Sequence, residues 1–178
     1  IAGNSLLAHG STPAQALLAL LDGLQPVGIS TVLLDTYGIL SALGAIAPHN
    51  ALLPVQVLES SALLNLAAVI SPICDARYGT VIMKVKVEYD NGEQTVQEVR
   101  QGTLHVLPVR AGQVVKVHLD PQRRMILNPG GKEKTRSFKM VGGVCGVVID
   151  ARGRPLNLPA DDARRRDMLK KWNLNLGG

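Results

Sequence analysis

The sequence predicts an α+β fold: an incomplete α/β lobe, then an antiparallel β-barrel or sandwich with a C-terminal helix. The first observation is charge, because all 19 Lys and Arg residues lie at or after Arg77. The segment before Arg77 carries −4 and the remainder +9. The second is pattern, since helical and apolar runs give way to strand-like alternation with frequent turns. We predict domains over residues 1–75 and 76–178, and expect the first to be partly covered by a partner; the alternative is a chance fluctuation in an Ala/Leu-rich segment.

The first segment opens with a helix and a strand. Residues 14–24 are predicted to be helical, because Thr12 can cap the start, Pro13 fits the first turn and Gly23 marks the end. Residues 29–34 form a short β-branched and aliphatic run, which is typical of a buried parallel strand.

Less regular elements follow that strand. A helix over residues 37–47 is predicted to be capped by Asp35 and stopped by Pro48. Residues 51–58 also have a helical pattern, whereas residues 61–70 fit either a helix or a helix running into a strand. One firm strand is too few for a sheet, so this segment needs partners that the chain does not supply, or supplies only in part.

The second segment has the pattern of an antiparallel sheet. Residues 81–88 alternate apolar with mostly charged side chains, and Asn91-Gly92 suits a hairpin turn because both residues tolerate positive φ. Further strands are predicted over residues 94–100, 103–109, 114–119, 136–140 and 144–149. This many short strands implies a small barrel or sandwich. Gly142-Gly143 permits a sharp bend that favours closure.

A helix is predicted to close the chain. Asp161 and Asp162 precede it and its basic residues come later, which is the order that the helix dipole favours. Met168, Leu169 and Trp172 share one face and are expected to dock on the β domain. The basic residues then form a solvated face, with a ligand site as the alternative.

Composition limits the classes of function. The chain is 46% apolar and only 3% aromatic, with a pI near 9.5. Nucleic-acid binding by a basic surface usually adds stacking aromatics, which are scarce here, so no nucleic-acid partner is predicted. Apolar stretches are too short or interrupted by charge, so no membrane contact is predicted. Cys74 and Cys145 lack metal-ligand spacing and are expected to be reduced core thiols of a cytoplasmic protein. The Ile1-Ala2-Gly3 start suggests an excised piece.

Candidate binding residues occur in turns. Backbone amides of Gly3, Asn4 and Ser5 could face a ligand, here a cofactor, or form an ordinary strand-to-helix turn. Asp35 follows a strand at the end where α/β sheets carry function, although capping the next helix is the alternative role.

Candidate partner-binding residues are basic. They are Arg123, Arg124, Arg152 and Arg154, with the loop over residues 130–134, and the alternative for each is a solvated loop. No catalytic constellation is found: the sequence lacks a nucleophile elbow, a GxxxxGK phosphate loop, clustered metal ligands and a usefully spaced carboxylate pair. His105 and His118 are expected to be structural.

Three stretches carry a family resemblance. They are residues 22–28 (Asp-Gly-Leu-Gln-Pro-Val-Gly), residues 33–45 (Leu-Leu-Asp-Thr-Tyr-Gly-Ile-Leu-Ser-Ala-Leu-Gly-Ala) and residues 147–156 (Val-Val-Ile-Asp-Ala-Arg-Gly-Arg-Pro-Leu). In this order, followed by the Arg-rich helix, they resemble the MutL-type accessory (reactivating) protein of adenosylcobalamin-dependent glutamate mutase. The resemblance covers most of the chain. It departs at Asn4-Ser5, where the family tends to have a Gly pair.

The resemblance implies a fold and a function. It implies descent from the actin/Hsp70/sugar-kinase superfamily, with residues 1–75 as the end of an actin-like lobe and residues 76–178 as an appended β domain. It implies an ATP-dependent chaperone that exchanges damaged cofactor in a mutase subunit, with ATP/ADP and Mg bound in the full-length protein. The family's early phosphate-binding segments are absent here, so this piece alone would bind no nucleotide, and no catalytic residue is carried over.

A second function stays open beside this one. The basic β domain could be a non-enzymatic interaction module that docks on an acidic protein surface. That reading predicts binding that weakens with salt and ignores nucleotide.

Overall fold

The computed structural model describes residues 1–3, 12–127 and 136–178. Within these ranges the helices are α1 (Pro13–Leu24), α2 (Ile39–Ile46), α3 (Leu52–Glu59) and α4 (Asp162–Asn175). The strands are β1 (Gly28–Leu34), β2 (Leu64–Ser71), β3 (Ile73–Cys74), β4 (Val81–Tyr89), β5 (Gln94–Arg100), β6 (Leu104–Leu107), β7 (Val114–Pro121), β8 (Met125–Ile126), β9 (Ser137–Val141) and β10 (Val147–Asp150). The predicted α+β class is confirmed.

Helix α1 begins as predicted because Thr12 and Gln15 cap each other. The Gln15 amide donates to Thr12 Oγ1 at 3.3 Å, and the Thr12 amide donates to Gln15 Oε1 at 3.1 Å. Pro13 occupies the first turn, where its nitrogen needs no helical partner. The helix ends one residue after Gly23, and Gln25 then adopts a left-handed φ of 45°.

Sheet 1 contains strands from both predicted domains, in the order β1-β2-β10-β6. Strand β2 pairs antiparallel with β1 and parallel with β10, which places residues 68–70 beside residues 147–149. One sheet therefore joins the two predicted domains, residues 1–75 and 76–178. Both β2 and β10 are apolar on both faces and must be covered on both. The apolar sequences of β2 and β10 predict that both strands are buried, but they do not predict which strand pairs with which.

Sheet 2 is antiparallel, in the order β5-β4-β7-β9. Its hairpin between β4 and β5 turns at Asn91-Gly92, as predicted. In the described part of the chain this sheet is open at β5 and β9, so of the two predicted architectures, barrel and sandwich, the closed barrel is wrong. The strands expected to complete it, β6 and β10, pair in sheet 1 instead. An actin-like lobe stays a prediction from the resemblance.

Two apolar clusters lie on opposite faces of sheet 1. Cluster 1 lies between the sheets and includes Ile70 and Ile149 from sheet 1 with Val85 and Val117 from sheet 2. Cluster 2 lies between sheet 1 and helices α1 and α4, and it includes Leu17, Val69, Val148 and Trp172. The chain thus forms three layers: helices, sheet 1 and sheet 2. Residues 68–70 of β2 and 147–149 of β10 alternate between the two clusters, as strand geometry requires.

The ambiguous stretch over residues 61–70 forms strand β2 from Leu64 onward. The backbone at Gly143 lies close against β2. A Cβ added to Gly143 would be 2.5 Å from the carbonyl carbon and oxygen of Leu66. Only a residue without a side chain fits there. The Cys145 amide donates to the Leu66 carbonyl at 2.8 Å, which holds this segment against β2.

Helices α2 and α3 lie outside both clusters. Leu52, Val55 and Leu58 of α3 are exposed. We expected a partner to cover part of the first segment. Because these three side chains are exposed in the structure, that expectation stays a prediction. Among the helices in the described residues, none has both the length and the apolar character needed to cross a membrane.

Candidate functional site

Residues 1–3 extend sheet 1 beside the end of β1. The Ala2 amide donates to the Leu33 carbonyl at 2.9 Å, and the Asp35 amide donates to the Ala2 carbonyl at 2.8 Å. Ala2 therefore forms a parallel bridge with Leu34 at the sheet edge. This arrangement brings the start of the predicted cofactor turn to the strand end that carries Asp35.

Asp35 caps helix α2, which confirms the capping interpretation. Its Oδ1 accepts from the Ile39 amide at 2.9 Å and its Oδ2 accepts from the Leu40 amide at 3.0 Å. The Leu40 hydrogen bond is the main reason that the pKa of Asp35 is lowered, and the Ile39 amide adds to it. The group is therefore ionised at neutral pH.

The predicted cofactor turn meets this carboxylate. A Cβ on Gly3 would lie 3.7 Å from Asp35 Oδ2. Asn4 and Ser5, the other two predicted residues, lie outside the described residues. An ionised carboxylate beside the turn repels a phosphate bound there unless a cation lies between them. Gly3 beside this carboxylate therefore does not fit a bound phosphate without a cation.

A buried ionic network lies at the end of β10. Asp150 is fully buried and accepts from Arg152 Nε and Nη2, each at 2.9 Å, and from Arg154 Nη2 at 2.8 Å. Arg152 Nη1 also lies 2.7 Å from Asp22 Oδ1, an ion-pair distance without hydrogen-bond geometry. Two acids and two bases make the network neutral. Burial would raise the pKa of the Asp150 carboxyl, but the hydrogen bonds and charges of Arg152 and Arg154 outweigh burial and lower it.

The network joins α1, the segment that follows it and α4 to sheet 1. The Arg152 guanidinium stacks 4.5 Å from the centre of the Trp172 ring of α4. Arg154 Nε donates to the Pro26 carbonyl at 3.1 Å, and its Nη2 donates to Ser71 Oγ at 3.4 Å. Asp22 adds the link to α1.

The assignment of Arg152 and Arg154 to partner binding is therefore corrected. Their side chains are only 1% and 5% exposed, and their donors point into the molecule. Sequence reasoning placed them in a polar turn and missed Asp22, Asp150 and Trp172 as their partners. The alternation of Asp150, Arg152 and Arg154 was the available signal, because an acid and a base two residues apart can pair on one side of an extended chain.

Arg123 and Arg124 are placed differently. Both are exposed in the turn between β7 and β8. Within residues 12–127 and 136–178 neither forms an ion pair. Their charges thus remain accessible to a partner. The other predicted basic segment, residues 130–134, lies outside the described residues.

The outer face of sheet 2 is a larger basic surface. We define the basic face by three exposed lysines: Lys84 of β4, Lys116 of β7 and Lys139 of β9. Lys116 lies directly opposite Lys139 on the neighbouring strand. None of the three forms an ion pair with another described residue. Like charges directly across a sheet repel each other, which an acidic partner would relieve.

Acidic residues also lie on this face: Lys84 is directly opposite Glu98 on β5 and Asp120 on β7, although it forms an ion pair with neither. Glu88 faces Lys116 across the β4–β7 ladder, but its carboxylate lies 3.3 Å from Lys86 Nζ and 3.0 Å from His118 Nε2. The His118 hydrogen bond and then the Lys86 contact lower the pKa of Glu88. Glu88 therefore does not neutralise Lys116 and Lys139.

Cys74, Cys145 and the Nε2 of His105 are buried at separate places in the fold. Cys74 and Cys145 are free thiols, and burial raises the pKa of each. His105 Nε2 is buried and has no hydrogen-bond partner in the described residues, and burial lowers the pKa of this imidazole. No cluster of His, Cys, Asp and Glu among the described residues is arranged to hold a metal ion.

Comparison of this chain with protein-family models, with curated proteins and with solved structures finds no match.

Proposed function

We propose that this chain is the partner-docking, C-terminal part of an ATP-dependent accessory protein that reactivates an adenosylcobalamin-dependent carbon-skeleton mutase of the glutamate mutase type. The three resembling stretches support the assignment to this class. The observation that carries the docking role is the basic face, where Lys116 lies directly opposite Lys139 and none of the three lysines forms an ion pair with another described residue. ATP/ADP and Mg belong to the larger protein in this proposal, and no residue of this chain is assigned a catalytic role.

The charge of the basic face specifies the partner chemistry. Unpaired lysines on a rigid sheet attract an acidic protein surface, and this attraction raises the association rate more than it tightens the final complex. Because the lysines are exposed, salt weakens their attraction for an acidic surface, with a screening length of about 10 Å at 0.1 M ionic strength. The mutase subunit would then present an acidic patch. The two buried free thiols suit the reducing environment of the cytoplasm, where we place the complex.

The experiment uses the full-length accessory protein and an inactivated glutamate mutase. The test variant is K84E/K116E/K139E, which reverses the basic face. The control is R164E/R166E/K170E, which changes the net charge equally on exposed positions of α4. We expect the test variant to slow reactivation and weaken mutase binding at low salt, while the control behaves like the wild type. Equal behaviour of both variants would remove the basic face from the proposal.

The basic face also supports a second function, because its attraction for an acidic surface requires no nucleotide. In this alternative the basic face docks on an acidic protein other than a mutase, without nucleotide. Binding of the partner would weaken with salt and stay unchanged by ATP. A dependence of mutase reactivation on ATP, lost in the K84E/K116E/K139E protein, would exclude this alternative.

A further inference from the structure

A pocket lies at the free edge of sheet 1. Strand β6 is the last strand of that sheet, and a pocket of about 410 Å³ opens along its outer side. Tyr78 and the turn at Gly102 bound one end, and Met168, Lys171 and Trp172 of α4 form a wall. The pocket therefore follows a strand edge.

The backbone of this edge has unused hydrogen-bonding groups. The Ala151 amide donates to the Thr103 carbonyl, so His105 and Leu107 form the hydrogen-bonded pairs with β10. Val106, which lies between them, then directs its N–H and C=O away from β10. In the described parts of the chain no group pairs with these two. The edge is thus open to another strand.

One side chain already occupies such an edge group. Asn175 Nδ2 donates to the carbonyl of Leu104 at 3.1 Å. The side-chain amide of Asn175 therefore donates a hydrogen bond to the carbonyl of Leu104, as the backbone N–H of an added strand would donate to the carbonyl of Val106. This contact shows that donors can reach the outer edge of β6 beside α4.

The side chains around the edge specify a ligand. Leu104 and Val106 point toward the α4 side, where Met168 and Trp172 supply apolar surface and Lys171 a positive charge. His105 points to the opposite side of the strand and keeps a buried Nε2 without a partner in the described residues. None of the described residues that line the pocket is acidic. An incoming strand would therefore place alternate side chains on two chemically different sides.

We propose that the edge of β6 binds an extended segment of a partner protein that adds a strand to sheet 1. The partner strand pairs with the N–H and C=O of Val106. Its apolar side chains contact Met168 and Trp172, and an acidic side chain pairs with Lys171. This mode of recognition takes its affinity from main-chain hydrogen bonds and its specificity from the side-chain pockets. The inference does not depend on the mutase proposal.

The test uses Trp172, the only tryptophan of the chain, as a fluorescent reporter. The probe is a short blocked peptide in which valine and glutamate alternate. Two matched probes are the same peptide with its backbone amides N-methylated and a peptide in which lysine replaces glutamate. We expect saturable fluorescence change with the first probe, and about tenfold weaker binding or none with the other two, because they lose ladder hydrogen bonds or the pairing with Lys171.

Two variants of the chain complete the test. V106P removes the outward N–H without removing a ladder hydrogen bond, and its thermal unfolding checks that it folds. V96P is the control, since Val96 lies on β5, the edge of sheet 2, in a pair that also directs its N–H outward. We expect V106P to weaken peptide binding about tenfold and V96P to leave it unchanged.

Several results would overturn the proposal. One is equal binding of the valine–glutamate peptide and its N-methylated form, and another is the same fluorescence change with glutarate alone, which would indicate a small-carboxylate pocket. Self-association of the chain that V106P abolishes would make a second copy the occupant instead. Failure of the valine–glutamate peptide to bind a folded wild-type chain would also reject it.

Discussion

The guanidinium of Arg152 and the carboxylate of Asp150 form a two-pronged ion pair at the end of β10, with both hydrogen bonds 2.9 Å long. Neither side chain is more than 1% exposed. Because Arg152 also stacks on Trp172 and lies near Asp22, this pair connects sheet 1 to both α1 and α4. Removing one partner of such a pair leaves an uncompensated charge in the interior.

Asp150→Asn is therefore expected to destabilise the fold by about 3–5 kcal/mol, since both arginines lose their charged acceptor. Urea unfolding followed by circular dichroism measures the change. The control is Asp162→Asn, which breaks the exposed pair with Arg165 and should cost no more than about 1 kcal/mol. Similar costs for the two variants would mean that the buried network does not stabilise the fold.

The same carboxylate makes stability depend on acid pH. The folded state lowers the pKa of Asp150 below its ordinary value of 3.8, so between the two pKa values the unfolded chain binds more protons. Stability therefore rises with pH in that window. The contribution of Asp150 is complete above pH 3.8 and is lost as pH falls through the lower, folded-state pKa. Asp35 and Glu88 act in the same direction.

Unfolding free energies of the wild type and Asp150→Asn, measured in urea from pH 7 to acid pH, check this expectation. The difference between the two proteins should shrink below pH 3.8, because protonated Asp150 resembles Asn. A difference that stays constant to the lowest pH would contradict a lowered pKa for this group.

Asp35→Ala should loosen the first turn of α2. The amides of Ile39 and Leu40 lose their acceptor, so their hydrogen exchange should become faster than in the wild type. Asp35→Asn should restore part of the protection, because its side-chain oxygen accepts one of the two hydrogen bonds. Exchange measured by NMR checks the prediction. Asp75→Ala, at an exposed position, is the control and should leave both amides unchanged.

Gly143→Ala should destabilise the fold by at least about 1–3 kcal/mol, because its Cβ would overlap the backbone of Leu66 at 2.5 Å. Thermal unfolding provides the measurement. Gly44→Ala is the matched substitution: no atom lies within 4 Å of its added Cβ, and Gly44 is inside α2. We expect it to stabilise by up to about 1 kcal/mol. A neutral Gly143→Ala would mean that β2 and the Gly143 segment do not pack this closely.

Local signals predicted several elements correctly. Thr12 and Pro13 marked the start of α1, Asn91-Gly92 marked the hairpin turn, and the acids at 161 and 162 marked the start of α4. In each case the determining contacts lie within a few residues of one another. Such contacts can be predicted from a single stretch of sequence.

Other features could not be predicted this way. Residues 61–70 fitted both a helix and a strand, because a continuous apolar run has no distinguishing period. Strand β2 exists because β1 and β10 pair with it, and β10 lies more than seventy residues away. Arg152 and Arg154 looked like surface groups until Asp22, Ser71 and Trp172 were placed around them.

The sequence by itself determined the α+β class, the starts of α1 and α4 and the unequal distribution of charge, because these depend on local chemistry and composition. Only the tertiary structure decided that one sheet joins both segments, that two of the four candidate arginines are internal, and that β6 has a free edge. The physical reason is that strand pairing and burial depend on partners distant in the chain. The residue types of one segment do not specify those partners.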